Sequence, residues 1–276
     1  AVEEQARERA RLKKTLAREK ELAMVLADYP SADGQTAHAV GLETLASLES
    51  ILKAVKQAGY DCGAAKSHTS RALVGALCED LPQPCLSLND YNELFARLPA
   101  SFRHAVTQSW GTSAEDPAVQ DCSFCLKFVA LGNIVVAVQP DRGSAQDRKA
   151  QYHDPDTPPR HAYIAFHLWL RHVCQTDAMV HLGTHGTLEW LPGKAVALSN
   201  QCAPAVLRGA LPVLYPFIVN NPGEAASAKR RLGAVTIGHL TPPVMKAGLD
   251  PDMAELEQLI AEFAEADGLD RRRGAI

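Results

Sequence analysis

The sequence predicts an α/β fold: a mainly parallel sheet with flanking helices, plus a β-hairpin region. Short, uniformly apolar runs such as ELAMVLADYP and DAMVHLG match strands covered on both faces, as in parallel sheets. Stretches with apolar residues every three or four positions lie between such runs and match helices packed on a sheet. Gly132-Asn133 sits between two β-rich runs, a tight-turn signal.

Taken in order, residues 1–21 interleave acids and bases without Gly or Pro, which predicts a charged, solvated lead-in helix with i,i+4 pairs. Having almost no apolar face, this helix is expected to lead in from something upstream. Residues 22–120 are expected to form a Rossmann-like α/β domain. It opens with the strand in ELAMVLADYP, followed by a helix with Leu42, Leu45, Leu48, Ile51, Leu52 and Val55 along one stripe and Gly59 at its end. Residues 67–109 read mainly as short helices broken by LPQP and LPA, and SFCLKFV reads as a strand. A second α/β segment, residues 121–250, holds the hairpin, the nearly all-apolar helix around AYIAFHLWLRHV, and the strands DAMVHLG, VLYPFIVNN and AVTIGHL. In PGEAASAKRRLG, Pro222 and Glu224 suit a helix start, and Lys229, Arg230 and Arg231 suit its end. Residues 251–276 are expected to be a C-terminal helix and a truncated tail, with Asp250 as N-cap and Met253, Leu256, Leu259, Ile260 and Phe263 facing inward.

Composition narrows the function classes. The 276 residues, 46% hydrophobic and 22% charged, can bury a core of one large or two modest domains. A formal charge of -4 gives no basic field for nucleic acid or an anionic membrane, so neither is expected as a partner. No run approaches the roughly 18 apolar residues of a membrane span, and the charged start does not resemble a signal peptide, so a cytoplasmic location is expected. Seven cysteines are an odd number for a disulfide framework and are expected to be reduced. Cys122 and Cys125 form a C-x-x-C with no second pair at zinc spacing and are read as buried structural thiols.

The densest polar cluster is MVHLGTHGTLEWLPGK, residues 179–194. It follows a strand directly, and ligands of open α/β sheets bind beyond the carboxyl ends of the strands. His181, His185 and Glu189 fall at i, i+4 and i+8, a spacing that gathers them on one side of any helical continuation. Imidazole with carboxylate suits Co²⁺, Ni²⁺ or Zn²⁺ and also suits proton removal near neutral pH. The bland alternative is that His181 ends a strand and Glu189 caps or salt-bridges. A zincin is excluded because Leu182 stands where H-E-x-x-H has its Glu. A P-loop is excluded because Ala195 stands in place of the magnesium-binding hydroxyl and the Gly186 to Gly193 interval is too long. The expectation is therefore one solvent-reachable pocket lined by His185 and Glu189 at the carboxyl edge of the sheet. The loop with Asp141, Arg142, His153, Asp154, Asp156 and His161 is a second candidate, with Asx-turn chemistry as its alternative. NNPGE, with Asn220 and Asn221 before a helix, is a third candidate, for a carboxylate.

These residues also resemble a known family. HLGTHGTLEWLPGKA, preceded by QPDRG and YHDPDTPPRHAYIAFHLWL and followed by LPVLYPFIVNNPGEAASAKRR and TPP, closely resembles the CobN/magnesium-chelatase large-subunit family over residues 20–245. The HDPD-x-PP loop and LEWLPGKA are more similar to its cobalt-specific branch. The resemblance implies an internal fragment of a larger multidomain subunit of a class II chelatase, a ligase forming nitrogen–metal bonds. That enzyme would insert Co²⁺ into hydrogenobyrinic acid a,c-diamide during cobalamin synthesis. It implies a corrinoid tetrapyrrole as substrate and ATP hydrolysed by separate AAA+ motor subunits of the CobS and CobT type, not bound here. The fragment alone is expected to be inactive. On this reading His185 delivers the metal, Glu189 accepts a proton, and His181 is a second ligand or orienting residue. Asp154 joins the metal set, while Arg142, Lys194 and Asn220 are candidates to hold the macrocycle's side chains. The alternatives are a magnesium chelatase of the H type acting on protoporphyrin IX, and a non-catalytic tetrapyrrole-binding or scaffold fragment.

Overall fold

Strand β1, Leu22–Leu26, is five residues long and buried throughout, because it is flanked by strands on both sides and layered on both faces. It runs parallel to β6 (Ile134–Val138), with Met24 opposite Val136, and parallel to β7 (Ala178–Leu182), with Met24 opposite Val180. The computed structural model describes residues 2–27, 43–63, 69–79, 81–143, 154–183, 186–196, 198–216 and 222–238, together with 252, 255, 256, 258 and 259. The chain divides into two units, Ala1–His239 and Leu240–Ile276.

In the first unit six strands form one sheet in the order β5-β6-β1-β7-β8-β9, where β5 is Phe128–Leu131, β8 Val213–Pro216 and β9 Val235–Ile237. All neighbours are parallel except the β5–β6 hairpin. Leu131 pairs with Ile134 across Gly132-Asn133, the expected two-residue turn. Gly132 has φ +62°, and a Cβ there would lie 2.6 Å from Asp61 Oδ1, so both conformation and space require glycine.

Alternation along β1 separates two apolar layers. Leu22, Met24 and Leu26 join the cluster containing Leu48 and Leu52 of helix α2 (Thr44–Gln57). Ala23 and Val25 join the opposite cluster, with the long helix His161–His172 and with Phe124. His161 to Leu170 are all buried, which explains the nearly unbroken apolar sequence of that helix.

Several expectations need correction. The boundary anticipated at residue 120 does not divide the sheet, because β1 sits between β6 and β7. β1 takes its parallel neighbours from Ile134–Val138 and Ala178–Leu182, both beyond that boundary. The 67–109 region, mainly helical as read, also contributes one strand. After α3 (Ser70–Val74), residues Gln83–Ser87 form β2, which enters a separate antiparallel sheet β2-β4-β3 with β3 at Val119–Gln120 and β4 at Ser123–Leu126. Pro84 is tolerated there because β2 is an edge strand. Helices α4 (Leu88–Ala96) and α5 (Ala100–Trp110) follow β2. SFCLKFV is not one strand: SFCL belongs to the small sheet and FVAL to the large one. Cys122 is exposed in the β3–β4 turn, whereas Cys125 is buried, and both thiols are free.

The lead-in helix α1 is Val2–Lys14, shorter than anticipated, and it is tied down rather than merely solvated. Arg11 pairs with buried Asp177 at 2.6 Å, and Leu12 packs against the second apolar cluster. In the second unit Leu256 and Leu259 are helical but 48% and 54% exposed, not inward-facing. Met253, Ile260 and Phe263 lie outside the described residues. Among the described residues no helix is long and apolar enough to cross a membrane.

Candidate active site

β6, β1, β7 and β8 run parallel, so their carboxyl ends share one edge of the sheet, and β1 separates two strands that follow it in the chain. This switch point is where open α/β sheets form a crevice. His181 comes from the end of β7. The register Met179 opposite Val213 continues along the parallel pair, so Tyr215 of β8 lies level with His181 and on the same face. Their rings stack with centroids 4.8 Å apart at 27°.

Beyond β7 the chain makes a one-turn 3₁₀ helix, Leu188–Trp190, that turns Glu189 inward to 1% exposure. Glu189 Oε1 accepts from the Gly186 backbone N–H at 3.1 Å and from the Tyr215 hydroxyl at 3.2 Å. A Cβ on Gly186 would lie 2.8 Å from His181 Nε2 and 3.2 Å from Glu189 Oε2, so imidazole and carboxylate converge on this glycine. The turn is held from outside as well. Arg231 donates to the Glu189 carbonyl at 2.6 Å and to that of Leu191 at 2.8 Å.

A chain of neutral groups lies beside the carboxylate. The Gln139 amide donates to Thr187 Oγ1 at 2.7 Å, and that hydroxyl donates to the Tyr163 hydroxyl at 2.8 Å. Burial raises the Tyr163 pKa; its bond from Thr187 opposes this, and the nearby Glu189 charge adds to it. His167, one helical turn on, packs its ring 5.0 Å from that of Tyr163. Burial, with Arg171 and His181 nearby, pushes His167 down to about 3, so it is a neutral imidazole at pH 7.

The anticipated residues fare differently. Glu189 and His181 meet; His185 and Asn220 lie outside the described residues. The expectation of a solvent-reachable pocket is not met at Glu189, which is enclosed by Tyr215, Gly186 and its own turn. Arg142, anticipated as a macrocycle contact, clamps backbone carbonyls. It is 3% exposed and donates to the carbonyls of Asp154 and Thr157, each at 2.7 Å, and of Trp190 at 3.3 Å. The oxygens of Asp154 accept from the Asp156 N–H at 2.9 Å and the Thr157 hydroxyl at 2.5 Å. This Asx turn holds its pKa low, through the Thr157 hydroxyl first. Lys194 is exposed at the turn's far end. Among the described residues no group of three or more His, Cys, Asp and Glu could hold a metal.

Sequence reasoning missed Tyr215, Tyr163, Thr187, Gln139, His167 and Arg231. A signal existed for Tyr215, a polar-tipped aromatic in an apolar strand followed by proline. Arg231 was read as balancing a helix dipole, yet its donors reach the turn of Glu189.

A family model described as CobN/Magnesium Chelatase matches residues 1–276. The aerobic cobaltochelatase subunit CobN of Pseudomonas aeruginosa is 45% identical, over 99% of this chain and 23% of its own length. The H subunit of the magnesium chelatase of Chlorobaculum parvum is 33% identical, over 92% of this chain and 20% of its own length. A solved structure, the catalytic subunit of cobaltochelatase from Mycobacterium tuberculosis, superposes with a TM-score of 0.77 at 37% identity, covering 99% of this chain and 24% of that one. The chain thus spans about a quarter of the length of these relatives.

Proposed function

The chain belongs to the CobN/magnesium chelatase family, and on that premise we propose that it forms the tetrapyrrole- and metal-handling part of a cobaltochelatase large subunit. The reaction is insertion of Co²⁺ into hydrogenobyrinic acid a,c-diamide, with ATP hydrolysed by partner motor subunits of the CobS and CobT type in the cytoplasm. Identities of 45% and 41% to cobaltochelatase subunits, against 33% to a magnesium-chelatase subunit, favour cobalt over magnesium.

The observation behind the site assignment is the convergence of Glu189 and His181 on Gly186 at the carboxyl edge of the sheet. Insertion removes protons from ring nitrogens as the metal ion exchanges water for those nitrogens. A carboxylate can accept such a proton, and a neutral imidazole can hold the incoming ion weakly enough to release it. In this reading Glu189 is the proton acceptor, His181 and His185 hand over the metal, and the Tyr215 hydroxyl fixes the carboxylate. Because Glu189 is enclosed, the turn 186–191 must open to admit substrate.

The test is Glu189→Gln in the full-length subunit with its motor subunits. Turnover should fall by about 10² to 10⁴ while macrocycle binding stays within a few-fold. Near wild-type turnover removes Glu189 from the mechanism. Faster insertion of Mg²⁺ into protoporphyrin IX than of Co²⁺ into the corrinoid would favour the magnesium branch.

A further inference from the structure

Arg231, which holds the Glu189 turn by two of its nitrogens, also lines a cavity of about 400 Å³ together with Arg208, Arg230 and Ser199. Glu4 is the acid on its described wall. Arg208 lies at the end of the helix Ala203–Arg208 and is 6% exposed. Its Nη1 donates to the Leu232 carbonyl at 2.8 Å, but its Nε has no hydrogen-bond partner among the described residues, and the same holds for Arg231 Nε. Arg9 crowds the same place, donating to the Gly233 carbonyl at 3.2 Å. A Cβ on Gly233 would lie 3.7 Å from Arg208 Nη1 and 3.8 Å from Arg9 Nη2.

Among the described residues none of these arginines has an ion pair, whereas the enclosed Arg160 is paired with Asp116. Gathering like charges in a partly dry cavity is unfavourable unless an anion joins them. Burial first, then the charges of Arg9 and Arg171, press Arg208 toward a lower pKa, as expected where positive charge lacks compensation.

We propose that this cavity is a binding site for a small phosphoryl-type oxyanion, held by Arg208, Arg230 and Arg231. Its volume lies within the range of small-ligand pockets. A carboxylate is satisfied in one plane by a single guanidinium fork, whereas a phosphoryl group presents oxygens in several directions and accepts arginines from separate elements. Here Arg208 comes from one helix, and Arg230 and Arg231 come from the helical turn Ala228–Leu232. Because Arg231 also grips the Glu189 carbonyl, an occupant would be felt at that turn, but the assignment does not depend on the proposed chelatase role.

Calorimetric titration of the whole chain with pyrophosphate at low salt tests the site, with succinate as a dicarboxylate comparison. Pyrophosphate should bind with a Kd below about 1 mM and succinate about tenfold more weakly or worse. Arg230→Gln changes an exposed side chain and should keep the fold, verified by an unchanged melting profile, while weakening pyrophosphate about tenfold. Arg208→Gln should weaken it at least as much; if that variant does not fold, Arg230→Gln alone decides. No binding below about 10 mM, equal affinity for succinate, or indifference to Arg230→Gln would overturn the assignment.

Discussion

The Tyr215 hydroxyl reaches 3.2 Å to Glu189 Oε1 while the face of the same ring stacks on His181. One side chain thus sets both the carboxylate and the imidazole. Tyr215→Phe keeps the stack and deletes the donor. It should cost about 1 kcal/mol of stability, the net worth of an ordinary hydrogen bond. Turnover should fall by roughly tenfold or more with macrocycle affinity unchanged, since the phenol acts on Glu189 rather than on the substrate. Denaturant unfolding beside steady-state insertion checks both, and unaltered turnover would show that Glu189 needs no such support.

Arg142 joins the 154–157 loop to the turn of Glu189 through three carbonyls. Arg142→Met should therefore destabilise the protein by about 2–4 kcal/mol and speed amide exchange in residues 154–160 and 188–191. A macrocycle contact would behave differently, with weaker substrate binding and stability intact. Hydrogen exchange of the free protein separates the two outcomes.

How far the sequence could be read depended on whether the cause was local. β1 and β7 were legible because burial on both faces leaves an apolar run, and the hairpin because Gly132-Asn133 suits a two-residue turn. The place of β1 between β6 and β7 was not, because strand neighbours are chosen across more than a hundred residues without a local mark. β2 was hidden by Pro84, which is harmless on an edge but reads as a breaker. At the site, His181 and Glu189 stood out as polar residues in an apolar stretch. The clamp made by Arg142 was not legible, because a sequence shows a cation but not the carbonyls that meet it.

The pair Asp116–Arg160 gives a pH signature. Asp116 is buried, which alone would raise its pKa, but Arg160 at 2.5 and 3.1 Å and the amides of Ala118 and Ala162 outweigh burial and lower it. A carboxyl lowered on folding stabilises fully above its unfolded pKa of about 3.9, and that stability is lost as pH falls through the lower folded value. Asp116→Asn should therefore cost about 3–5 kcal/mol at pH 6, the penalty of breaking an enclosed pair, and progressively less toward pH 3. Since Asp116 anchors the start of the helix bearing Tyr163 and His167, the variant should also lose turnover. Unfolding curves at the two pH values check the sign, and a gap that widens in acid contradicts it.

Gly186 is the point on which the site closes. A methyl there would sit 2.7 Å from His181 Cε1 and 2.8 Å from Nε2, closer than real contacts allow, and 3.2 Å from Glu189 Oε2. Both neighbours are buried, so neither can swing into solvent to make room. Gly186→Ala should cost about 1–3 kcal/mol, as overpacking does, and should depress turnover by disturbing the imidazole and the carboxylate together. The clash is with a named ring, so a second substitution can locate it. His181→Ala removes the ring, and in that background Gly186→Ala should cost much less, leaving only the 3.2 Å contact with Glu189 Oε2, a coupling of most of the single-variant penalty. If the two costs simply add, the methyl does not meet His181, and the convergence of His181 and Glu189 on this glycine is not the arrangement in solution.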